Sequence, residues 1–471
     1  MTTAQEGSAV KPTLFSSFWR WHFYASIIVI PILAMLAITG LTWMFRYEIQ
    51  AVTHPGVVAG FSHENAKSLD EQTTSVLSKY PDGQILSITE PWDDRATQFV
   101  IAEGDTTLQV FVNPETAVVT GAIDPSTEIQ DFAIRLHGDL TAGRIGDGII
   151  ELAACWAIVM ALTGYYLYFK GRRKRKDGVA KEKAEKRVNP FTTLRLRAQH
   201  GLAGAIAGLG ILFLVVSGLP WTGFWGETFQ NIATSQGQSF WGADPGAESK
   251  LGEKLENASG ESAPAPWVLG ESDVPESTAV DEGKTISADF LSNAAKKDGL
   301  PGPYFIVYPD SETGVYSVIA DQWMVKGNPA FSDVTQEAVI HFDQYSGEIL
   351  ARYSYEQYST LAQVVSNSIA IHEGRRFGIV SIISSTAFCV GILFLCVTAP
   401  IMWWRRRSAG SGLAAPRGSI SFKSHPWLVA GLLVLGVVLP LFGASLILLL
   451  LLDKFVIRKS KALSKLFGTT N

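Results

Sequence analysis

The 471-residue chain predicts a multi-pass α-helical membrane protein. The expected architecture is a two-span unit present twice, whose spans form one four-helix bundle, with an extra C-terminal span and an α+β domain outside the membrane in each copy. Three observations carry this. Apolar residues, 47% of the chain, gather in five blocks near the ~20 residues that a bilayer core requires, not in amphipathic stripes. Lys and Arg concentrate in alternate segments between the blocks. Four histidines recur at block ends with matched spacing.

The N-terminal segment 1–22 carries Lys11 and Arg20 and no acid after Glu6, and reads as cytoplasmic. The first span covers 23–45. It is too long for a signal-peptide core and ends in Trp43-Met44-Phe45-Arg46, so it is expected to remain as an anchor. The exterior region 46–148 contains a helix over Glu64–Lys79 and strands at Ile85–Ile88, Gln98–Ala102, Leu108–Val112 and Val118–Ile123. Asn113-Pro114 turns the last two into a hairpin. The second span, 149–169, runs into a cytoplasmic linker, 170–201, that includes KGRRKRKDGVAKEKAEKR from Lys170.

The third span covers 202–224. A second exterior region, 225–378, opens with a polar stretch at 243–283 whose composition buries too little apolar surface to order itself, so a flexible insertion is expected. A helix follows over Ile286–Lys297, then strands at Tyr304–Tyr308, Val315–Ile319 and Glu337–Phe342. A hairpin from His341 to Tyr353 turns at Ser346-Gly347. The fourth span, 379–404, stops at Trp403-Trp404-Arg405-Arg406-Arg407, and the loop 405–426 reads as cytoplasmic. Each copy holds two spans, so both run in the same direction, a parallel repeat about an axis along the membrane normal.

The fifth span, 427–452, lies outside the repeat. A full crossing would put the basic tail 453–471 outside, against the positive-inside tendency. Pro440 and Gly443 leave open a bent or hairpin helix that returns to the cytoplasm. Cys155, Cys389 and Cys396 all fall inside spans, so neither exterior domain has a disulfide or a cysteine metal site. The sequence contains no phosphate-binding glycine loop, no HExxH and no nucleophile elbow. Nothing resembles a flavin or nicotinamide domain; membrane lipid is an expected partner and nucleic acid is not.

His22 is followed after seventeen residues by Thr39-Gly40, and His200 after seventeen by Ser217-Gly218. His137 precedes Thr163-Gly164 by twenty-six residues, and His372 precedes Thr398-Ala399 by the same count. Topology places His22 and His200 at the inner interface and His137 and His372 at the outer. Each couple can face across the bundle, and neutral imidazoles there suit heme iron. The small residues leave room for a macrocycle or for close helix approach. Arg20, Arg197, Arg135 and Arg375 accompany the histidines and are candidate partners for heme propionates. A bland alternative also stands: interfacial histidines often cap helices, and arginines gather at any membrane interface.

Five stretches carry a resemblance. They are FWRWHFYASIIVIPILAMLAITGLTWMFRYEI, LHGDL at Leu136–Leu140, HFDQYSGEIL, IHEGRRFG at Ile371–Gly378 and PLFGASLILLLLLDKF. The chain resembles the PepSY-associated transmembrane proteins, the iron-regulated membrane proteins of bacteria. The resemblance implies a cytoplasmic-membrane ferric-siderophore reductase with two b-type hemes, with His22, His200, His137 and His372 at the ligand positions and PepSY-like exterior domains. Electrons would come from a quinol or a cytoplasmic reductase and pass to a ferric siderophore or similar chelate. Thr398-Ala399-Pro400 departs from the usual Thr-Gly, and the insertion departs as well. The alternative is a membrane-anchored PepSY protein that inhibits or senses a secreted protease.

Overall fold

The computed structural model describes residues 13–184, 193–226, 228, 249–250, 273–278, 286–320, 333–407, 412–416 and 425–469. Most of the polar stretch 243–283, and parts of the basic linker and of the loop 405–426, lie outside the described residues. Two compact units are present. One comprises Met1–Ile38, Asp139–Gly223 and Ala387–Asn471; the other comprises Thr39–Gly138 and Phe224–Thr386.

The first unit is helical. Four helices contribute to it: α1 (Leu14–Met44), α5 (Gly143–Ala184), α6 (Thr193–Gly218) and α9 (Ile379–Arg406). Each holds a stretch long and apolar enough to cross a membrane. They share one apolar core in which Val29, Leu33, Ala157, Ile211, Ile392 and Cys396 are buried. Between their ends the outward faces stay apolar, with Ile27, Ile28, Leu202, Ile206 and Leu209 exposed. A ring of greasy side chains around a packed core is what a lipid-facing bundle needs. The Tyr165 hydroxyl donates to Ala205 O at 3.0 Å and ties α5 to α6.

The fifth apolar block resolves into two helices, α10 (Pro426–Val438) and α11 (Pro440–Leu452). Pro440 cannot donate to the α10 ladder, and Leu439 leaves helical geometry at φ −122°, ψ 83°. The helices fold back on one another at two glycines, where a Cβ on Gly443 would lie 2.7 Å from Gly436 O. At 13 residues each, α10 and α11 fall short of the ~20 that a crossing needs. The stretch Pro440–Ile457, which runs past α11, is long and apolar enough to qualify by length and composition alone. The bend packs against the middle of α5: Trp156 Nε1 donates to Ser445 Oγ at 3.0 Å, and its ring meets Phe442 edge-on at 5.0 Å. From there the chain returns to α12 (Lys461–Phe467), where the Phe467 carbonyl accepts from both Arg20 and Tyr24 near the start of α1. The C-terminal tail therefore ends beside the first turns of α1. The bend falls at Pro440 and Gly443, the two residues that the sequence marked.

The second unit is built on one eight-stranded antiparallel sheet, ordered β10-β9-β8-β7-β1-β2-β3-β4. Its strands are β1 (Gln84–Thr89), β2 (Thr97–Glu103), β3 (Thr106–Val112), β4 (Val119–Ile123), β7 (Phe305–Val307), β8 (Val315–Ala320), β9 (Ala338–Asp343) and β10 (Ile349–Ser354). Short strands β5 (Ser249–Lys250) and β6 (Asp273–Val274) pair separately. The two regions expected outside the membrane are thus joined, not independent: β1 pairs with β7 through Ser87–Val307, Ile88–Ile306 and Thr89–Phe305. Helices α3 (Leu69–Lys79) and α7 (Ala288–Lys297) cover one face, over Ile88, Phe99, Val110, Ile306, Val318 and Ile340. Strand β8 is buried on both faces, as the central strands of a covered sheet must be.

The two strand sets match in detail. In the β3–β4 turn Asn113 Oδ1 accepts from the Glu115 amide, and Ala117 takes φ +55°. In the β9–β10 turn Asp343 Oδ1 accepts from the Tyr345 and Ser346 amides, and Gly347 takes φ +72°. Ser68 caps α3, and Ser287 caps α7. The helices also exchange carboxylates: Asp289 accepts from the Leu69 and Asp70 amides, while Asp70 accepts from Ala288 N. After each fourth strand the chain makes one turn of 3₁₀ helix and enters a short helix, α4 (Ile129–Asp139) or α8 (Thr360–His372).

Candidate functional site

The inner histidines lie in the helical unit. His22 sits two turns into α1 and His200 two turns into α6, both half-buried and within electrostatic range of each other. His22 Nδ1 lies 2.9 Å from Met160 O and 3.2 Å from Thr163 Oγ1. A carbonyl only accepts, so Nδ1 carries the proton and Nε2 keeps its lone pair. His200 Nδ1 lies 2.8 Å from Thr398 Oγ1. That hydroxyl donates back along α9 to Phe394 O at 2.8 Å, so it accepts from the imidazole. Thr163 does the same on α5, donating to Val159 O at 2.8 Å. Both inner histidines are therefore held in the tautomer that presents a basic Nε2, the form a metal-ligating histidine takes.

The outer histidines lie in the sheet-containing unit. His137 is on α4 and His372 ends α8, so each is on a short helix preceding a span and not on the span itself. Left-handed residues Leu140, Thr141 and Gly143 separate α4 from α5, and Gly374 and Gly378 separate α8 from α9. The two rings are 6.5 Å apart, centroid to centroid, with planes at 89°. His137 Nδ1 lies 2.9 Å from Thr39 Oγ1. The two rings thus stand close enough together to be a candidate ligand pair.

The glycines beside these threonines make room for the rings. A Cβ on Gly164 would come within 3.1 Å of His22 Cε1, and one on Gly40 within 3.4 Å of His137 Cε1. Thr-Gly is thus an imidazole cradle: the threonine engages Nδ1 and the glycine clears space for the ring edge. Sequence reasoning took these pairs only as small residues. The spacings mark these positions: Thr39 lies seventeen residues after His22 and bonds His137, and Thr163 lies twenty-six after His137 and bonds His22.

The residues present therefore fit heme with bis-histidine ligation. Among the described residues no three His, Cys, Asp or Glu cluster into a metal site. The arginines fit less uniformly. Arg20 donates to the carbonyls of Pro416, Phe467 and Gly468 and so holds the C-terminal tail. Arg375 is buried between Glu373 (2.7 Å) and Glu337 (3.5 Å). Both are engaged by the protein itself, because a buried or interfacial guanidinium takes the nearest oxygens. Arg197 lies over the Trp19 ring at 5.5 Å, and Arg135 is half-buried on α4, two residues before His137.

No curated protein matches this sequence. A family match, to the PepSY-associated TM region, covers residues 19–406 and so takes in all four histidines and both strand sets. The chain is a multi-pass membrane protein and belongs to the PepSY-associated TM family.

Proposed function

We propose that this protein is a di-heme transmembrane electron-transfer protein of the bacterial cytoplasmic membrane, which reduces a ferric siderophore or other ferric chelate at the exterior face. The observation that carries this reading is the fixed tautomer of the inner histidines, joined to the 6.5 Å separation of the outer pair. When bound, two b-type hemes supply one-electron chemistry at two depths. His22 and His200 would hold the inner one, and His137 and His372 the outer one. Thr163, Thr398 and Thr39 orient three of the rings and limit their rotation. The apolar helix faces exclude water from the inner couple. A quinol or a cytoplasmic reductase is the donor. Reduction of the substrate weakens its chelation, because Fe(II) binds hard oxygen donors less tightly than Fe(III).

The matched strand sets, turns, capping residues and short histidine-bearing helices support an internal duplication, with a pseudo-twofold axis through the β1–β7 pairing. The basic segments support a cytoplasmic N-terminus and tail. A protease-inhibiting or protease-sensing anchor needs no histidine pair with a set tautomer, and nothing in the fold favours it. The test is selective loss. His137→Ala should remove one b-type heme and leave one, as should His200→Ala, and the two residual spectra should differ. Loss of both hemes or of neither in each variant would overturn the pairing.

A further inference from the structure

The sheet-containing unit holds a cavity of about 90 Å³ that the histidines do not use. Its walls come from the end of α1, from α2 (Arg46–Thr53), from β1 to β3 and from α4. Aromatic faces and guanidiniums make the rim. Arg46 lies 4.5 Å over Trp43 and 4.3 Å over Tyr47, and Tyr47 meets Trp92 edge-on at 5.1 Å. Arg95 forms the inner wall with only 6% exposure. It donates to Tyr47 O and Gln50 Oε1, both neutral, and lies 5.3 Å and 5.6 Å from the Tyr47 and Trp92 rings. Among the described residues no carboxylate lies within ion-pair distance of Arg95. Burial pulls its pKa down from the ordinary arginine value, a loss that Tyr47 and the Asp94 and Glu48 carboxylates offset only in part. Asp131 is the single carboxylate among the lining residues, against two guanidiniums.

The cavity adjoins the outer histidine couple. Trp43 is one turn beyond Thr39 on α1, and Thr39 bonds His137. Gln130, on the wall, is two turns before His137 on the same face of α4, about 10 Å at ~1.5 Å per residue. A ligand seated here is within electron-transfer reach of His137. We infer that the cavity binds a planar aromatic anion of the catecholate or 2-hydroxybenzoate class, seated against the rim with its oxygens toward Arg46 and Arg95. Guanidinium recognises the paired oxygens, and the aromatic edges and stacked guanidinium planes pack on the ring. The volume takes one ring and not a whole chelate, so the occupant is one arm of a larger ferric complex or a free ring. Binding stands on the cavity alone; its use as the acceptor position rests on the di-heme proposal.

Full-length protein in detergent, titrated calorimetrically with 2,3-dihydroxybenzoate and separately with 2-hydroxybenzoate, tests this. At least one of the two should bind saturably at one site. Arg46→Gln, at the half-exposed rim, and Arg95→Gln should each weaken that binding at least tenfold. Neutral 1,2-dimethoxybenzene should not compete. No saturable binding of either anion, equal binding in the wild type and Arg46→Gln, or loss of heme bands on Arg46→Gln would overturn the inference, the last by assigning the arginine to a propionate. Visible spectra of the same samples separate the two claims. Binding without b-type bands leaves the cavity standing and the conduit refuted; bands without binding do the reverse.

Discussion

At the scale of single residues, the chemistry rests on imidazole orientation. A histidine whose Nδ1–H is held by a fixed acceptor loses less freedom on ligation, and its Nε2 becomes more basic. Thr398→Val keeps the shape of the side chain and removes the acceptor. It should lower heme affinity by roughly 10- to 100-fold and shift the midpoint potential of the inner heme, measured by redox titration. An unchanged potential with full heme content would show that the threonine only packs. Thr398 also tests the departure at Ala399, because His200 keeps its hydroxyl partner there although glycine is replaced. The histidines were legible in the sequence because their spacing repeats. The threonines were visible as positions but not as partners, since small residues at a helix contact have several uses and spacing does not separate them. Arg20 and Arg375 have protein partners that the sequence did not suggest. Interfacial position is legible, but the carbonyls of Pro416, Phe467 and Gly468 and the carboxylate of Glu337 are distant in sequence.

At the scale of elements, the C-terminal hairpin accounts for the basic tail. Two 13-residue helices meeting at Gly436 and Gly443 bring residues 453–469 back beside Arg20 and Tyr24. Cysteines introduced by Thr469→Cys and Ala414→Cys should therefore react with an impermeant thiol reagent from the same side of the membrane. Reaction from opposite sides would mean a full crossing. The native cysteines are buried or half-buried within the helices and give little background. Gly443→Leu should open the bend and cost about 1–3 kcal/mol, read as a fall in the thermal unfolding midpoint in detergent. Strands were legible almost to the residue, because alternation and turn chemistry are local. The helices α4 and α8 were not foreseen. Each is short and ends within a few residues of a long span, and the break depends on left-handed backbone at Leu140, Thr141 and Gly374, which composition does not reveal.

At the scale of the whole molecule, the two strand-bearing regions form one sheet although about 220 residues separate paired Ser87 and Val307. No local pattern announces that pairing; it follows only from two edge strands of complementary burial. The exchange of caps between Asp70 and Asp289 seals the same seam. Burial, then the neighbouring Asp289 carboxylate, raises the Asp70 pKa above its ordinary 3.8. An acid held above its unfolded value favours the folded state below that value and gives up this contribution as pH rises through the folded value. Asp70→Asn should therefore stabilise the protein at pH 7 and lose that advantage below pH 3.8, in paired thermal melts. The central claim is that the two histidine couples hold heme. The most direct measurement is the reduced-minus-oxidised visible spectrum of purified protein expressed with ample heme, with heme quantified per chain. The account predicts low-spin b-type bands at two hemes per chain. A colourless protein, or one that binds heme equally well after His22, His137, His200 and His372 are all replaced by alanine, would contradict it.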